Sequence, residues 1–150
     1  MFLVILSVMV IIQFIQPAHN TSERVLPIDF TNTLSVPDNV SKIFKNACND
    51  CHTNNTRYPW YVHTQPIGWI MNSHILTGKE NLNFSEFGAY SSRKQANKLR
   101  AIETSIEDGS MPLSSYKFMH PNARLSDTDK KLITDWVTIE KDSLTKIKIR

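Results

Sequence analysis

Charge is missing where the chain begins. The first twenty residues contain no Asp, Glu, Lys or Arg, so all 17 basic and 14 acidic residues fall in residues 21–150. Apolar side chains are scarce in that remainder. Ala, Val, Ile, Leu, Met, Phe, Trp, Cys and Gly make up 47 of its 130 residues, or 36%, against roughly 45–50% in an ordinary soluble domain. The charge content is too low for a disordered chain, and three Trp, four Tyr and five of the seven Phe lie there. The balance points to a folded domain with a thin core, whose middle is filled by something besides side chains. A length of 150 residues allows one domain and excludes a multidomain enzyme.

Other absences narrow the function. The net charge of +3 is mild, and acids and bases alternate along most of the chain. Nucleic-acid binders cluster their basic residues on one face. Here the one basic cluster is the tail of Lys141, Lys146, Lys148 and Arg150, which reads as a solvated, frayed C-terminus. Nucleic acid is therefore excluded as a partner. No Ser/His/Asp set, phosphate loop or pair of catalytic carboxylates stands out, so hydrolase and transferase chemistry have no support. No repeat occurs, and strand-type alternation is lacking over any useful length.

Residues 2–15 form a nearly unbroken apolar run, interrupted by Ser7 and Gln13 and ending at Gln16-Pro17. Fourteen helical residues at ~1.5 Å each span about 21 Å, short of a ~30 Å hydrocarbon core. The length suits a secretory signal, although a basic leading segment and a small-x-small cleavage site are lacking. A short uncleaved anchor is the alternative. Either reading puts the remainder outside the cytoplasm, on the periplasmic side of the cell envelope. The run has no polar face, which argues against a buried core helix. Residues 1–18 are thus expected to be a signal or membrane anchor, and residues 19–36, which lack periodicity and contain Pro27, a tether.

Four helices are predicted beyond it. Val40, Ile43, Phe44, Ala47, Cys48 and Cys51 form one apolar stripe, with Pro37 suited to a first helical position. A second helix starts at Pro66, places Ile67, Ile70, Met71, His74 and Ile75 on one face, and stops at Gly78. A third runs from about Ser92 to Asp108 with Ala96, Leu99, Ile102 and Ile106 inward, ended by Gly109. The fourth begins at Ser126, where Ser126-Asp127-Thr128-Asp129 resembles a capping box with Asp in place of Glu, and carries Leu132, Ile133, Trp136 and Val137. The expected fold is all-α: about four helices around a bound group over residues 37–140, an N-terminal apolar helix before them, and a basic tail over 141–150.

Only two cysteines exist, in Cys48-Asn49-Asp50-Cys51-His52. A spacing of three at a helix end puts both sulfurs on one side, with His52 one turn beyond Cys48. That pattern suits thioether bonds to the two vinyl groups of one covalent haem c, with His52 binding iron from the proximal face. A dithiol redox pair is the first competitor, but it would want a strand-turn-helix setting, and here a helix leads in. A zinc site built on Cys48, Cys51 and histidines is the second, and no second pair at finger spacing is present. A chance match is the third.

For the sixth iron ligand two residues compete. Met111, in Gly109-Ser110-Met111-Pro112, lies between two helices where a thioether could approach the distal side, stiffened by the following proline. His74 is the rival, on the apolar face of the second helix. Core filling is the ordinary role of a methionine, and a buried histidine ordinarily has a hydrogen-bond partner and no metal. His63 and His120 read as surface or loop residues, and His19 as part of the tether. In Asn54-Asn55-Thr56-Arg57-Tyr58-Pro59-Trp60-Tyr61 the aromatics could wall a haem, with Arg57 or Trp60 bonding a propionate, or could simply pack with their polar tips at the surface. Asn20, Asn39, Asn54 and Asn83 each open an Asn-x-Ser/Thr triplet, which chance explains in a chain this rich in those residues.

The chain resembles the small haem-binding-domain proteins of Bacteroidetes-type bacteria. The resemblance rests on residues 48–61 (Cys-Asn-Asp-Cys-His-Thr-Asn-Asn-Thr-Arg-Tyr-Pro-Trp-Tyr), on Gln65-Pro-Ile-Gly-Trp69 with His74, and on Asn81-Leu-Asn-Phe-Ser-Glu-Phe87. It continues through Met111-Pro-Leu-Ser-Ser-Tyr116 with His120, and from Leu125 to Trp136, covering about residues 37–137. It implies a c-type haem domain held at the membrane by its N-terminal segment, with Cys48, Cys51 and His52 as the attachment motif. The Met-Pro loop and terminal helix also look like those of class I cytochromes c, an analogy that supports Met111. The resulting expectation is a one-electron carrier rather than an enzyme, with a redox partner protein and with the membrane contacted through residues 2–18. The alternatives are a haem sensor or small peroxidase with an open or labile distal position, and a zinc-stabilised interaction module.

Overall fold

Five aromatic side chains meet at Phe30. In the computed structural model, described for residues 1–22 and 24–147, its ring lies 5.3 Å from Phe44, 4.7 Å from Phe84, 5.2 Å from Phe87 and 5.4 Å from Trp136, centroid to centroid. These spacings are those of tilted and edge-to-face aromatic pairs. The rings come from different parts of the chain, so this cluster ties it together.

Among the described residues the structure is all-helical: α1 (Phe2–Ile12), α2 (Phe30–Thr33), α3 (Asp38–Ala47), α4 (Asn49–His52), α5 (Ile67–Asn81), α6 (Ser92–Glu107), α7 (Ser114–Met119) and α8 (Asp127–Ile147). Short 3-10 turns cover Trp60–His63, Phe84–Ala89 and Pro121–Ala123. The four predicted helices correspond to α3 with α4, α5, α6 and α8. The buried stripe of α6 is Leu99, Ile102 and Ile106, and it packs on Ile133, Trp136 and Val137 of α8. Gly109, at φ +74°, ends α6 in the left-handed conformation that a glycine adopts without a Cβ clash. The α8 cap is reciprocal: Asp129 N–H donates to Ser126 Oγ at 3.1 Å, and Ser126 N–H donates to Asp129 Oδ2 at 2.9 Å.

Four expectations change. The stripe from Val40 to Cys51 is two helices, because the backbone breaks at Cys48 (φ −126°, ψ −41°) and α4 restarts from it. Gly78 does not stop α5, which continues to Asn81; its φ is not positive, and its part is close contact with Cys51. Residues 19–36 are more than a tether, since Phe30 and Leu34 are buried in the core and the Trp136 indole N–H donates to the Ser35 carbonyl at 2.9 Å. Finally, the tail expected from residue 141 continues α8 through Ile147, and Lys141 forms an ion pair with Glu103 of α6. Lys148 and Arg150 lie outside the described residues.

No residue of α1 is buried. Its exit, however, is clasped to the segment before α5. The Gln13 side-chain amide accepts from the Gln65 N–H at 2.8 Å and donates to the Gln65 carbonyl at 3.2 Å. The Gln65 side chain donates to Gln16 Oε1 at 2.7 Å, and the Trp69 indole N–H donates to the Ile15 carbonyl at 2.8 Å. Among the described residues no helix is long and apolar enough to cross a membrane.

Candidate functional site

Cys48, Cys51 and His52 sit together at the α3–α4 break. Cys48 N–H closes α3 by donating to the Phe44 carbonyl at 2.9 Å, and the Cys48 carbonyl accepts from Cys51 and His52 to open α4. Both thiols are free and half-buried. Burial pushes the Cys48 thiol up to about 12, with the neighbouring Cys51 adding to the rise. The Cys51 thiol rises to about 11, again through burial and then through the Asp50 charge. At neutral pH both are thiols rather than thiolates.

The His52 ring is oriented by the backbone that follows α5. Its Nδ1 lies 2.9 Å from the Leu82 carbonyl oxygen. A carbonyl can only accept, so Nδ1 carries the proton and donates, which leaves Nε2 with its lone pair. Burial lowers the His52 pKa and outweighs the backbone hydrogen bonds to Leu82 and Gly78, which act to raise it. An imidazole whose Nδ1–H is held by a backbone carbonyl has the tautomer that a metal-binding histidine takes.

Helix α5 reaches the motif by contact with α4. A Cβ placed on Gly78 would lie 2.6 Å from the Cys51 carbonyl oxygen, so only glycine fits there without displacing backbone. His74 precedes Gly78 by four residues and therefore lies one turn away on the same face of α5. It is half-buried. Ile67 and Ile70, expected inward with it, are 44% and 54% exposed.

Between the two cysteines, Asp50 is buried at 4% exposure. Its Oδ1 accepts from Arg57 Nε at 2.9 Å and from the Arg57 backbone N–H at 3.2 Å. Its Oδ2 accepts from Arg57 Nη2 at 3.2 Å and from the Tyr116 hydroxyl at 2.6 Å. A buried carboxylate is tolerated when paired and fully hydrogen-bonded in this way. Arg57 thus bonds Asp50 through Nε and Nη2 and the Lys45 carbonyl through Nη2. Trp60, the other candidate for a propionate contact, is 81% exposed.

Met111 stands on the loop after α6, where its N–H donates to the Ser105 carbonyl at 3.0 Å, and its side chain is 39% exposed. Tyr116, five residues on, connects that loop to Asp50. His120 is not a bare surface residue: it stacks on Tyr116 at 4.1 Å, and its Nε2 lies 3.2 Å from the Tyr61 hydroxyl. The sequence pointed to the cysteines and His52 but not to the Asp50–Arg57–Tyr116 cluster, because nothing in their spacing of seven and 66 residues signals contact.

The loop after His52 is braced from several sides. Asn20 donates from its amide to the Thr53 carbonyl and to Thr56 Oγ1, and its backbone N–H donates to the Tyr58 hydroxyl at 2.7 Å. His19 stacks on Tyr58 at 4.3 Å. Asn54 and Asn83 bond to each other through their side chains. The triplet asparagines Asn20, Asn54 and Asn83 thus have structural uses.

A family model described as "Haem-binding domain" matches residues 7–139. The chain belongs to the haem-binding domain family. No curated protein and no solved structure matches it.

In this haem-binding domain the donor set suits the group. Two unpaired thiols lie within one turn of an imidazole whose Nδ1 faces a backbone carbonyl. The competing readings fare differently. A dithiol redox pair works through a lowered cysteine pKa, whereas burial raises both here. Among the described residues no group of three or more His, Cys, Asp or Glu side chains comes together to hold a metal ion, so the zinc module has no ligand cluster there.

Proposed function

We propose that this haem-binding domain is a monohaem c-type electron carrier of the cell envelope. The observation that carries the reading is the His52 Nδ1–Leu82 carbonyl contact of 2.9 Å inside a Cys-x-x-Cys-His motif. Cys48 and Cys51 would hold the haem, each thiol adding across one vinyl group with sulfur on one carbon and its hydrogen on the other. His52 would supply Nε2 to the iron, and its Leu82 partner would keep the ring in the ligating tautomer. Met111 would supply a thioether as the second protein ligand, with His74 of α5 as the alternative. Haem iron, when bound, supplies a one-electron couple. Two strong protein ligands would leave no open position for a substrate and keep reorganisation small, and a thioether in place of a second imidazole would raise the potential. A redox partner protein would exchange electrons with the bound group by close approach. The apolar α1 attaches the domain to a membrane on the periplasmic side.

The 39% exposure of Met111 favours a second reading, a sensor or small peroxidase with a labile distal position. One experiment separates the two. The full chain is exported into a periplasm equipped for haem attachment, solubilised in detergent, and its visible spectrum recorded oxidised, reduced and under carbon monoxide. A low-spin c-type spectrum that carbon monoxide leaves unmoved, with the far-red sulfur-to-iron band, supports the carrier. A high-spin spectrum shifted by carbon monoxide supports the sensor or peroxidase. Folded protein without haem bands overturns both.

A further inference from the structure

Helix α7 buries none of its residues, so apolar packing does not explain where it sits. What holds it towards the attachment motif is polar and aromatic: the Tyr116 hydroxyl on Asp50 at 2.6 Å, and His120 just beyond its end, stacked on Tyr116 and bonded to Tyr61. The segment leading into α7 is Met111-Pro112-Leu113. Its upstream end is pinned at α6 by the Met111 N–H on the Ser105 carbonyl, and Pro112 is buried. Its downstream end is joined to the motif through Tyr116.

Asp50 has four hydrogen bonds, three of them from Arg57, only seven residues away. The fourth crosses 66 residues of sequence. Arg57 alone could neutralise this carboxylate; the Tyr116 bond adds a long-range link. It originates between the two cysteines, in the short helix that also carries His52.

We propose that Asp50 is a positioning residue, coupling the proximal helix to the loop that presents Met111 through the Tyr116 hydroxyl. Motif and distal loop then move as one unit, and the Met111 sulfur is held in place by a bond that touches neither ligand. This rests on the reading of Met111 as the sixth ligand.

The test uses the full haem-loaded chain in detergent, with Tyr116→Phe, Asp50→Asn and Met111→Ala. Tyr116→Phe removes one hydroxyl and leaves the Asp50–Arg57 pair in place, so it decides the matter even where Asp50→Asn fails to fold. Covalent haem on a denaturing gel and the helical circular dichroism stay as in the unaltered chain. The far-red band loses most of its intensity, and reduced protein binds carbon monoxide roughly tenfold more tightly or better, the scale of one lost hydrogen bond to a charged group. Asp50→Asn shows the same signature where it folds. A Tyr116→Phe protein whose melting temperature falls while band and carbon monoxide affinity stay put shows a purely structural bond and overturns the coupling. If Met111→Ala abolishes the far-red band and Tyr116→Phe leaves it intact, the coupling alone fails. If the band is missing from the unaltered chain, or survives Met111→Ala, the Met111 reading fails and the coupling with it.

Discussion

Gly78 of α5 meets the backbone carbonyl of Cys51 so closely that a Cβ would stand 2.6 Å from that oxygen. This contact sets how near α5 comes to the Cys48–His52 motif. The same helix leads into Leu82, whose carbonyl orients His52. Cys51, His52 and the face carrying His74 are thus arranged by one close helix approach.

Gly78→Ala should therefore act on both stability and the site. The methyl group cannot be accommodated without moving backbone, and overpacking of this kind costs about 1–3 kcal/mol. The expected result is a lower melting temperature of the haem-free protein, with faster amide exchange in α4. An unchanged melt would mean that α4 and α5 are not in this contact.

Phe30→Ala tests whether the segment before α3 belongs to the core. Removing a buried Phe in contact with four other rings should cost about 3–5 kcal/mol. A domain of this size can lose its fold at that cost. Were residues 19–36 only a tether, the denaturation midpoint would not move.

Replacing both Cys48 and Cys51 by Ala should abolish covalent haem attachment, read as loss of haem staining after denaturation. Under the proposed c-type attachment, each single replacement should leave one thioether. Haem that survives denaturation in the double variant would rule out this attachment chemistry.

The raised thiol pKa values have a kinetic consequence in haem-free protein. At pH 8 a thiol near its ordinary value of 9.0 is about a tenth ionised, while pKa values of about 12 and 11 leave a thousandth or less as thiolate. Alkylation by iodoacetamide at pH 8 should be about 100-fold slower in the folded protein than in urea. The sign for stability follows from linkage. Above pH 9 the unfolded thiols lose protons first, so stability is complete below pH 9 and declines as the pH rises towards the folded values. Equal alkylation rates in folded and unfolded protein would place the cysteines at the open surface.

Much of the helical layout was legible because it depends on local signals. The Leu99, Ile102 and Ile106 spacing, the Gly109 stop and the Ser126–Asp129 cap all act within a few turns of chain. Where reading failed, a distant partner outweighed the local signal. Gly78 looks like a helix stop until Cys51 is set against it. Phe30 lies in an aperiodic stretch, and nothing nearby reveals that four rings from elsewhere surround it. Arg57 looks free until Asp50 is seen to be buried beside it.

The order Cys48-x-x-Cys51-His52, the all-helical periodicity and the apolar first segment are properties of the sequence by itself. They follow from residue spacing on a helix and from the chemistry of thiols and imidazole. Only the tertiary structure decided that His52 Nδ1 faces the Leu82 carbonyl, where α5 comes closest, and that Asp50 joins the motif to the Met111 loop. Those outcomes depend on hydrogen bonds between residues 30 and 66 positions apart. Such bonds form where packing brings the groups together and excludes water, and no local pattern encodes that.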